Sequence, residues 1–169
     1  MLPNLYTSLY GNYGKRPLNK ELPKILKLLN DDTVESDLKL CLICYTVKRA
    51  AVQRISINYK KFEKKFLDLS RHKKTREDFI DYGDCCFAFS FYYFKNYIFP
   101  KKSFKYLKES IHYSMDDSHK YSRFILLAYF YFNGFGIKKN IEKGIECISK
   151  AEKIYYKNGG IVECELKIH

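Results

Sequence analysis

Residues 128–151, AYFYFNGFGIKKNIEKGIECISKA, decide the fold of this chain. Large apolar residues come first, a turn with Gly134 and Gly136 follows, and an amphipathic stretch closes the segment. Glycine adopts the positive φ values that let a chain leave one helix and turn back within a few residues. Asn140 is well placed to cap the next helix. Small residues stand where the two helices could approach closely: Ala128, Gly144 and Ala151. The stretch therefore predicts a helix, a tight turn and a second helix.

The same stretch resembles one Sel1-like repeat, a relative of the tetratricopeptide repeat, with the signature LGxxYxxGxGVxxDxxKAxxW and a closing pair of alanines. The positions that match keep the spacing of that signature: Leu127, Ala128, Tyr131, Gly134, Gly136, Ile137, Asn140, Gly144 and Ala151. Cys147 stands at the usual aromatic position and is the main departure. An unrelated helical hairpin with the same turn chemistry is the alternative.

A second, degenerate copy precedes this one, as expected because one helical pair cannot bury its apolar face alone. Residues 84–94 (DCCFAFSFYYF) resemble the first helix of the repeat. The second helix has Ser103 and Ser110 at the small positions and Tyr106 at the aromatic position. The turn between them has lost both glycines, and Pro100 is suited to the first helical position.

The resemblance covers about half of the chain, residues 76–157, and implies an all-α fold. We expect a short right-handed α-solenoid of antiparallel helix pairs in a single domain. Residues 1–18 are predicted to be an irregular arm, residues 19–75 N-terminal helices that could form a divergent pair, and residues 158–169 a tail or a short strand.

Capping residues predict where the N-terminal helices begin. We expect Asn19 to cap a helix that ends near residue 30, and Thr33 to cap the next one. Glu35 and Asp37 would then lie in its first turn, where the macrodipole favours acidic residues. A third helix near residues 55–69 has a predicted core face made of Ile57, Phe62, Phe66 and Leu69.

Composition restricts the class of protein. Apolar residues make up 46% of the 169 residues, which excludes a disordered tail. The 31 Lys and Arg against 19 Asp and Glu give a net charge of +12, which favours an acidic partner. Apolar runs are about half the ~20 residues that a membrane helix needs, and no signal peptide is recognisable. These patterns predict a cytoplasmic protein without membrane insertion.

Residues with reactive or metal-binding side chains form no recognisable catalytic motif. Cys41 and Cys44 have CxxC spacing, but they lie in an apolar helical run, so buried free thiols are expected throughout. His112, Asp116 and His119 are close in sequence, in a loop that rarely preorganises metal ligands. The sequence therefore predicts no enzyme, no metal and no cofactor.

The Sel1-like resemblance implies a non-catalytic protein-binding function, since proteins of that family act as adaptors and scaffolds, many of them bacterial. A domain of this size could be an inhibitor or immunity-type protein that occludes a cognate effector. The candidate partner-binding residues are Lys101, Lys102 and Lys105. One alternative is a nucleic-acid-binding protein that uses a lysine-rich helical surface. A third hypothesis, a thiol enzyme, would use Cys41 and Cys44.

Overall fold

The computed structural model describes residues 17–71, 79–114 and 117–160, which form helices with no strand among them. The prediction of an all-α fold is therefore confirmed. The helices in these ranges are α1 (Leu18–Asn30), α2 (Ser36–Gln53), α3 (Tyr59–Ser70), α4 (Phe79–Lys95), α5 (Pro100–Tyr113), α6 (Asp117–Asn133) and α7 (Ile141–Lys157).

Helix α4 lies at the centre of the molecule. Every side chain of residues 85–94 is buried, so this helix is apolar on all sides rather than along one stripe. It packs most extensively against α5 and α2, with α3 covering part of the remainder.

Helices α4 and α5 form an antiparallel pair whose closest approach is at two serines. The Ser103 hydroxyl donates to the Ser90 carbonyl oxygen at 2.8 Å, and the Ser90 hydroxyl donates to the Ser103 carbonyl oxygen at 2.9 Å. Further along, Gly83 of α4 faces the backbone of Ser110. Small residues at both points let the two backbones approach closely.

Helices α6 and α7 form a second antiparallel pair. At one end the Tyr121 and Tyr155 rings lie 6.2 Å apart. At the other end Gly144 lies directly against the ring of Phe132, and a Cβ at this position would overlap that ring.

Side-chain contacts join the two pairs and show that α4 and α6 run in the same direction. Near the start of α4, the Asp84 carboxylate accepts a hydrogen bond from the Arg123 guanidinium of α6. Near its end, the Phe94 ring lies 5.2 Å from that of Tyr129. Arg123 also donates to the Ser110 carbonyl oxygen of α5 at 2.7 Å, so α6 contacts both helices of the first pair.

Helix α2 also runs parallel to α4. The Cys85 thiol donates to the Leu40 carbonyl oxygen at 3.3 Å, and the Ile57 N–H, just beyond α2, is 3.5 Å from the Tyr92 hydroxyl. The turns that follow α2, α4 and α6 therefore lie at one end of the molecule.

The same turn geometry ends these three helices. Each is followed by a residue with a left-handed backbone, namely Arg54 (φ 53°), Tyr97 (φ 53°) and Gly134 (φ 71°). The next N–H bonds to the carbonyl oxygen five residues back, at 2.9 to 3.0 Å, as in a Schellman motif. The turn after α4 thus has the same backbone geometry as the turn after α6, although it contains no glycine. Phe99 (φ 47°) in this turn also has a left-handed backbone, and so does Gly136 (φ 74°) at the corresponding position of the later turn.

Two predicted caps are wrong. Helix α1 begins at Leu18, so Asn19 lies inside the first turn. The residue before α2 is Glu35 and not Thr33, because the Thr33 hydroxyl and N–H both donate to the Asp31 carboxylate and form a local turn.

The caps predicted at the later helices are confirmed. Asn140 accepts from the Lys143 N–H at 2.9 Å, and α5 begins at Pro100. Helix α3 begins later than predicted, at Tyr59, because Asn58 caps it. The predicted core residues of α3 are buried, except that Leu69 is partly exposed.

Parts of some predictions lie outside the described residues. These are most of the N-terminal arm, residues 72–78 between the N-terminal helices and the two repeats, Asp116, and most of the strand or tail at the C-terminus. Among the described helices, none is long and apolar enough to cross a membrane.

We predict that Gly136→Ala destabilises the fold more than Gly134→Ala does. Both glycines have positive φ, which costs an alanine about 1–2 kcal/mol. At Gly136 the new Cβ would also overlap the carbonyl group of Pro100, whereas at Gly134 it meets only ordinary contacts. Urea unfolding followed by circular dichroism at 222 nm measures the two free energies of unfolding. Equal losses would contradict this packing of the turn against α5.

Candidate interaction groove

A groove of about 360 Å³ lies between α5 and α7, with α6 as its floor. The lining residues come from all three helices: Lys108 and Ile111 from α5, Phe124, Leu127 and Tyr131 from α6, and Lys143, Glu146, Cys147 and Lys150 from α7. The floor residues follow the i, i+3, i+7 spacing of one helical face. The groove therefore has an apolar and aromatic floor between two polar walls.

Small residues of α7 determine how closely this wall approaches the floor. Gly144, Cys147 and Ala151 are all buried at the α6–α7 contact. Gly144 lies directly against the Phe132 ring, whereas two exposed, positively charged side chains of α7 line the groove. These are the lysines at positions 143 and 150.

The rim of the groove is positively charged. Its lining contains three lysines and a single carboxylate, Glu146. The Lys143 ammonium lies 6.0 Å from the centre of the Tyr131 ring, and that of Lys150 lies 5.8 Å from the centre of the Phe124 ring. These cation–π contacts hold the cations over the aromatic floor, where they can also pair with an incoming carboxylate.

Tyr131 provides a hydrogen-bond donor in the groove. Burial raises the pKa of its hydroxyl, and the nearby Cys147 and Glu146 raise it further. The hydroxyl therefore stays protonated at neutral pH and can donate to an acceptor on a ligand.

The repeat-signature residues divide between the core and the groove. Leu127 and Ala128 are buried on α6, whereas Tyr131 is partly exposed. Gly134 and Gly136 form the turn, Ile137 is partly exposed in it, and the remaining signature residues position α7.

The corresponding positions of the degenerate copy are also buried. Ser103, Tyr106 and Ser110 of α5 all lie in the core. The Tyr106 hydroxyl donates to the Glu63 carboxylate of α3 at 2.7 Å.

The three lysines predicted to bind the partner have different environments. Lys101 is exposed. Lys102 donates to the Glu63 carboxylate at 2.7 Å, so its charge stabilises the packing of α5 on α3. Lys105 is exposed and lies 3.9 Å from Glu109 on the same helix. None of the three lines the groove, whose α5 wall has Lys108 instead.

The candidate metal ligands do not form a cluster in the described part of the chain. His112 is exposed and its ring lies 4.7 Å from that of Tyr113. His119 lies instead beside Asp84, with its Nδ1 3.6 Å from the carboxylate.

The prediction that the cysteines are buried is confirmed for some of them and wrong for others. Cys85, Cys86 and Cys147 are buried, but Cys41 and Cys44 are partly exposed on α2. Burial raises the pKa of the Cys86 thiol, which the Glu109 charge raises further, and burial also raises the pKa of Cys147. Both thiols are therefore protonated at neutral pH and are poor nucleophiles.

Sequence reasoning missed the groove lysines and the buried charges. Lys143 and Lys150 resemble any solvated helix face in the sequence. The position of Glu63 could have been used, because it follows the core residue Phe62 directly. A carboxylate that is buried beside a core position needs a hydrogen-bonding partner.

Comparisons with protein-family models, with curated proteins and with solved structures found no match to this chain. The Sel1-like resemblance therefore rests on the residues quoted above.

We predict that Ellman's reagent at pH 8 modifies native Cys44 faster than Cys86 or Cys147. The two buried thiols are shielded, and their raised pKa leaves little thiolate. Mass spectrometry of peptides after timed quenching gives the rate at each site. Rapid modification of Cys86 or Cys147 would contradict their placement in the core.

Proposed function

We propose that this chain is a non-catalytic protein-interaction module, a Sel1-like adaptor that binds an acidic segment of a partner protein in the α5–α7 groove. The observation that carries the proposal is the groove itself, with its aromatic floor and three lysines against one glutamate. An amphipathic segment with acidic residues beside aromatic or aliphatic ones complements both features.

The helix arrangement supports the architecture that we propose, a short right-handed α-solenoid. Two antiparallel pairs follow each other along the chain, and the first helices of the two pairs run in the same direction. Stacked pairs of this kind present grooves between successive elements, which solenoid proteins use as binding surfaces.

Aromatic residues on the floor would supply most of the affinity. Binding energy at protein interfaces concentrates in a few desolvated anchors, whereas charges at the rim mainly accelerate encounter. Phe124 and Tyr131 are partly exposed and can therefore bury further surface against a ligand. The exposed lysines of α5, Lys101 and Lys105, lie outside the groove and would act on encounter alone.

A more specific form of the proposal is an inhibitor or immunity-type protein in a bacterial cytoplasm. In that form the bound segment belongs to an effector that loses its activity when the groove is occupied. A purified effector that stays fully active at saturating concentrations of this chain would exclude that form and leave the adaptor role in place.

Selection of 12-residue peptides from a random display library tests the proposed ligand chemistry directly. We expect enriched peptides to combine Asp or Glu with Phe, Leu or Tyr. Tyr131→Ala should weaken binding about 10-fold, the loss typical of an interface anchor. Lys143→Glu with Lys150→Glu should abolish binding, because two carboxylates placed beside the floor would repel the acidic peptide at close range. Enriched peptides without acidic residues would contradict the proposed chemistry.

The matched control is Lys101→Glu with Lys105→Glu, which changes the net charge by the same amount outside the groove. Surface plasmon resonance should show slower association for this variant and an unchanged dissociation rate. If the control abolishes binding as the groove variant does, the lysine-rich surface as a whole is responsible and the groove is not the site.

A further inference from the structure

A second surface lies at the end of the molecule where α2, α4 and α6 terminate. We define the three-loop surface by the segments that connect these helices to the next ones, including the first residues of those helices: residues 54–61, 95–102 and 133–140. It is made of residues different from those of the groove.

Direct contacts make these segments one continuous surface. The Tyr59 ring lies 5.8 Å from that of Phe99, and the Tyr97 ring lies 6.5 Å from that of Phe135. Gly136 packs against the backbone at the start of α5. Aromatic ring pairs therefore join the first segment to the second and the second to the third.

The three-loop surface contains cations and no carboxylate. Its charged residues are Arg54, Lys60, Lys61, Lys95, Lys101, Lys102, Lys138 and Lys139. Lys102 pairs with Glu63 of α3 and is still exposed, and the lysines at positions 60, 61, 101, 138 and 139 are exposed as well. The surface is therefore positive along its whole length.

Apart from Lys102, whose ion pair joins α5 to α3, these lysines are not explained by the stability of the fold. Each of the three segments places two consecutive lysines at or just before the N-terminus of a helix, where the macrodipole disfavours positive charge. Helices α3 and α5 have no acidic residue in the first turn that would offset this effect.

Backbone strain in the middle segment is a second, independent observation. Tyr97 and Phe99 are left-handed, a conformation that glycine occupies at the counterpart positions of the next segment. Their side chains are 77% and 47% exposed, so burial does not compensate for the strain. Residues with a strained backbone are enriched at binding sites, and both of these expose an aromatic ring that a ligand could contact.

We propose that the three-loop surface binds single-stranded nucleic acid, with the phosphates on the lysines and bases stacked on Tyr97 and Phe99. Single-strand sites combine a basic surface with aromatic platforms in this way and tolerate any sequence. The cores of protein interfaces are instead depleted of lysine, which disfavours a protein at this surface. The proposal does not depend on the groove or its ligand.

Fluorescence anisotropy with a labelled 12-nucleotide oligothymidylate tests this site. We expect a dissociation constant of about 1–100 μM near physiological salt, as for sequence-independent binding. Tyr97→Ala should weaken binding about 5- to 100-fold, the range for one lost base stack. Tyr156→Ala is the matched control, because Tyr156 is 76% exposed on α7 and lies outside the surface.

The salt dependence measures the phosphate contacts. Lys101→Ala with Lys138→Ala should reduce the slope of log affinity against log salt by about 1.4, at ~0.7 per phosphate on a single strand. Lys27→Ala with Lys153→Ala removes the same charge from exposed positions of α1 and α7 and should leave the slope nearly unchanged.

Tyr97→Gly separates binding from folding. It should raise the melting temperature by about 2–4 °C, because glycine adopts the left-handed conformation without strain. The same variant should bind the oligonucleotide as weakly as Tyr97→Ala does. A loss of binding in a stabilised protein cannot result from unfolding.

The proposal is overturned if the oligonucleotide does not bind, if Tyr97→Ala has no effect, or if the two lysine pairs change the slope equally. A poly-glutamate chain of the same charge is the competitor that represents an acidic protein. The surface recognises acidic polypeptide instead if two results are found together. Poly-glutamate would bind as tightly as the oligonucleotide, and neither Tyr97→Ala nor Tyr156→Ala would change its dissociation constant.

Discussion

The structure depends on one constraint, which is that α4 is apolar on every side and must be covered completely. Ten consecutive side chains, residues 85–94, are buried. Burying large aromatic side chains is the strongest stabilising contribution available to a chain of this size. Helices α2, α3 and α5 cover most of α4, and α6 contacts its two ends through Asp84 and Phe94. Because α6 joins in this way, its opposite face remains open and becomes the floor of the groove.

Buried polar groups fix which helices meet and in what register. Glu63 accepts hydrogen bonds from Lys102 and Tyr106, and burial together with this carboxylate raises the pKa of the Tyr106 hydroxyl well above its usual range. Arg123 is fully buried and joins α6 to α4 and α5. Removing one partner from such a group would leave an uncompensated buried charge. The pairing therefore excludes other registers, and it also holds the ammonium group of Lys102 against Glu63 although the side chain remains exposed.

The sequence predicts the second helix pair well, because glycine and asparagine leave few alternatives at a turn. Gly134, Gly136 and Asn140 specify where α6 ends and α7 begins. The turn after α4 has the same backbone geometry, but Tyr97 and Phe99 give no local signal for it, because neither residue is a glycine. The cap at Thr33 was wrong because Asp31 accepts hydrogen bonds from its hydroxyl and its N–H before α2 begins, and the cap at Asn19 was wrong because α1 already begins at Leu18.

The two proposed binding surfaces, the α5–α7 groove and the three-loop surface, were harder to predict from the sequence. Exposed lysines have no periodicity that would distinguish them from a solvated helix face. Lys143 and Lys150 become part of a site only when α7 packs beside α6. The lysines of the three-loop surface come together only because α2, α4 and α6 run in the same direction. In both places the tertiary arrangement creates the charge pattern, and single-segment analysis cannot detect it.

The central claim is that the molecule has two separate binding surfaces, and NMR titration of labelled protein tests it most directly. An acidic display-selected peptide should shift the backbone amides of the α5–α7 groove, around Phe124, Tyr131 and Lys143. The oligothymidylate should shift those of the three-loop surface, around Tyr97 and Lys138. If both ligands shift the same set of amides, or if neither set includes these residues, the account is wrong.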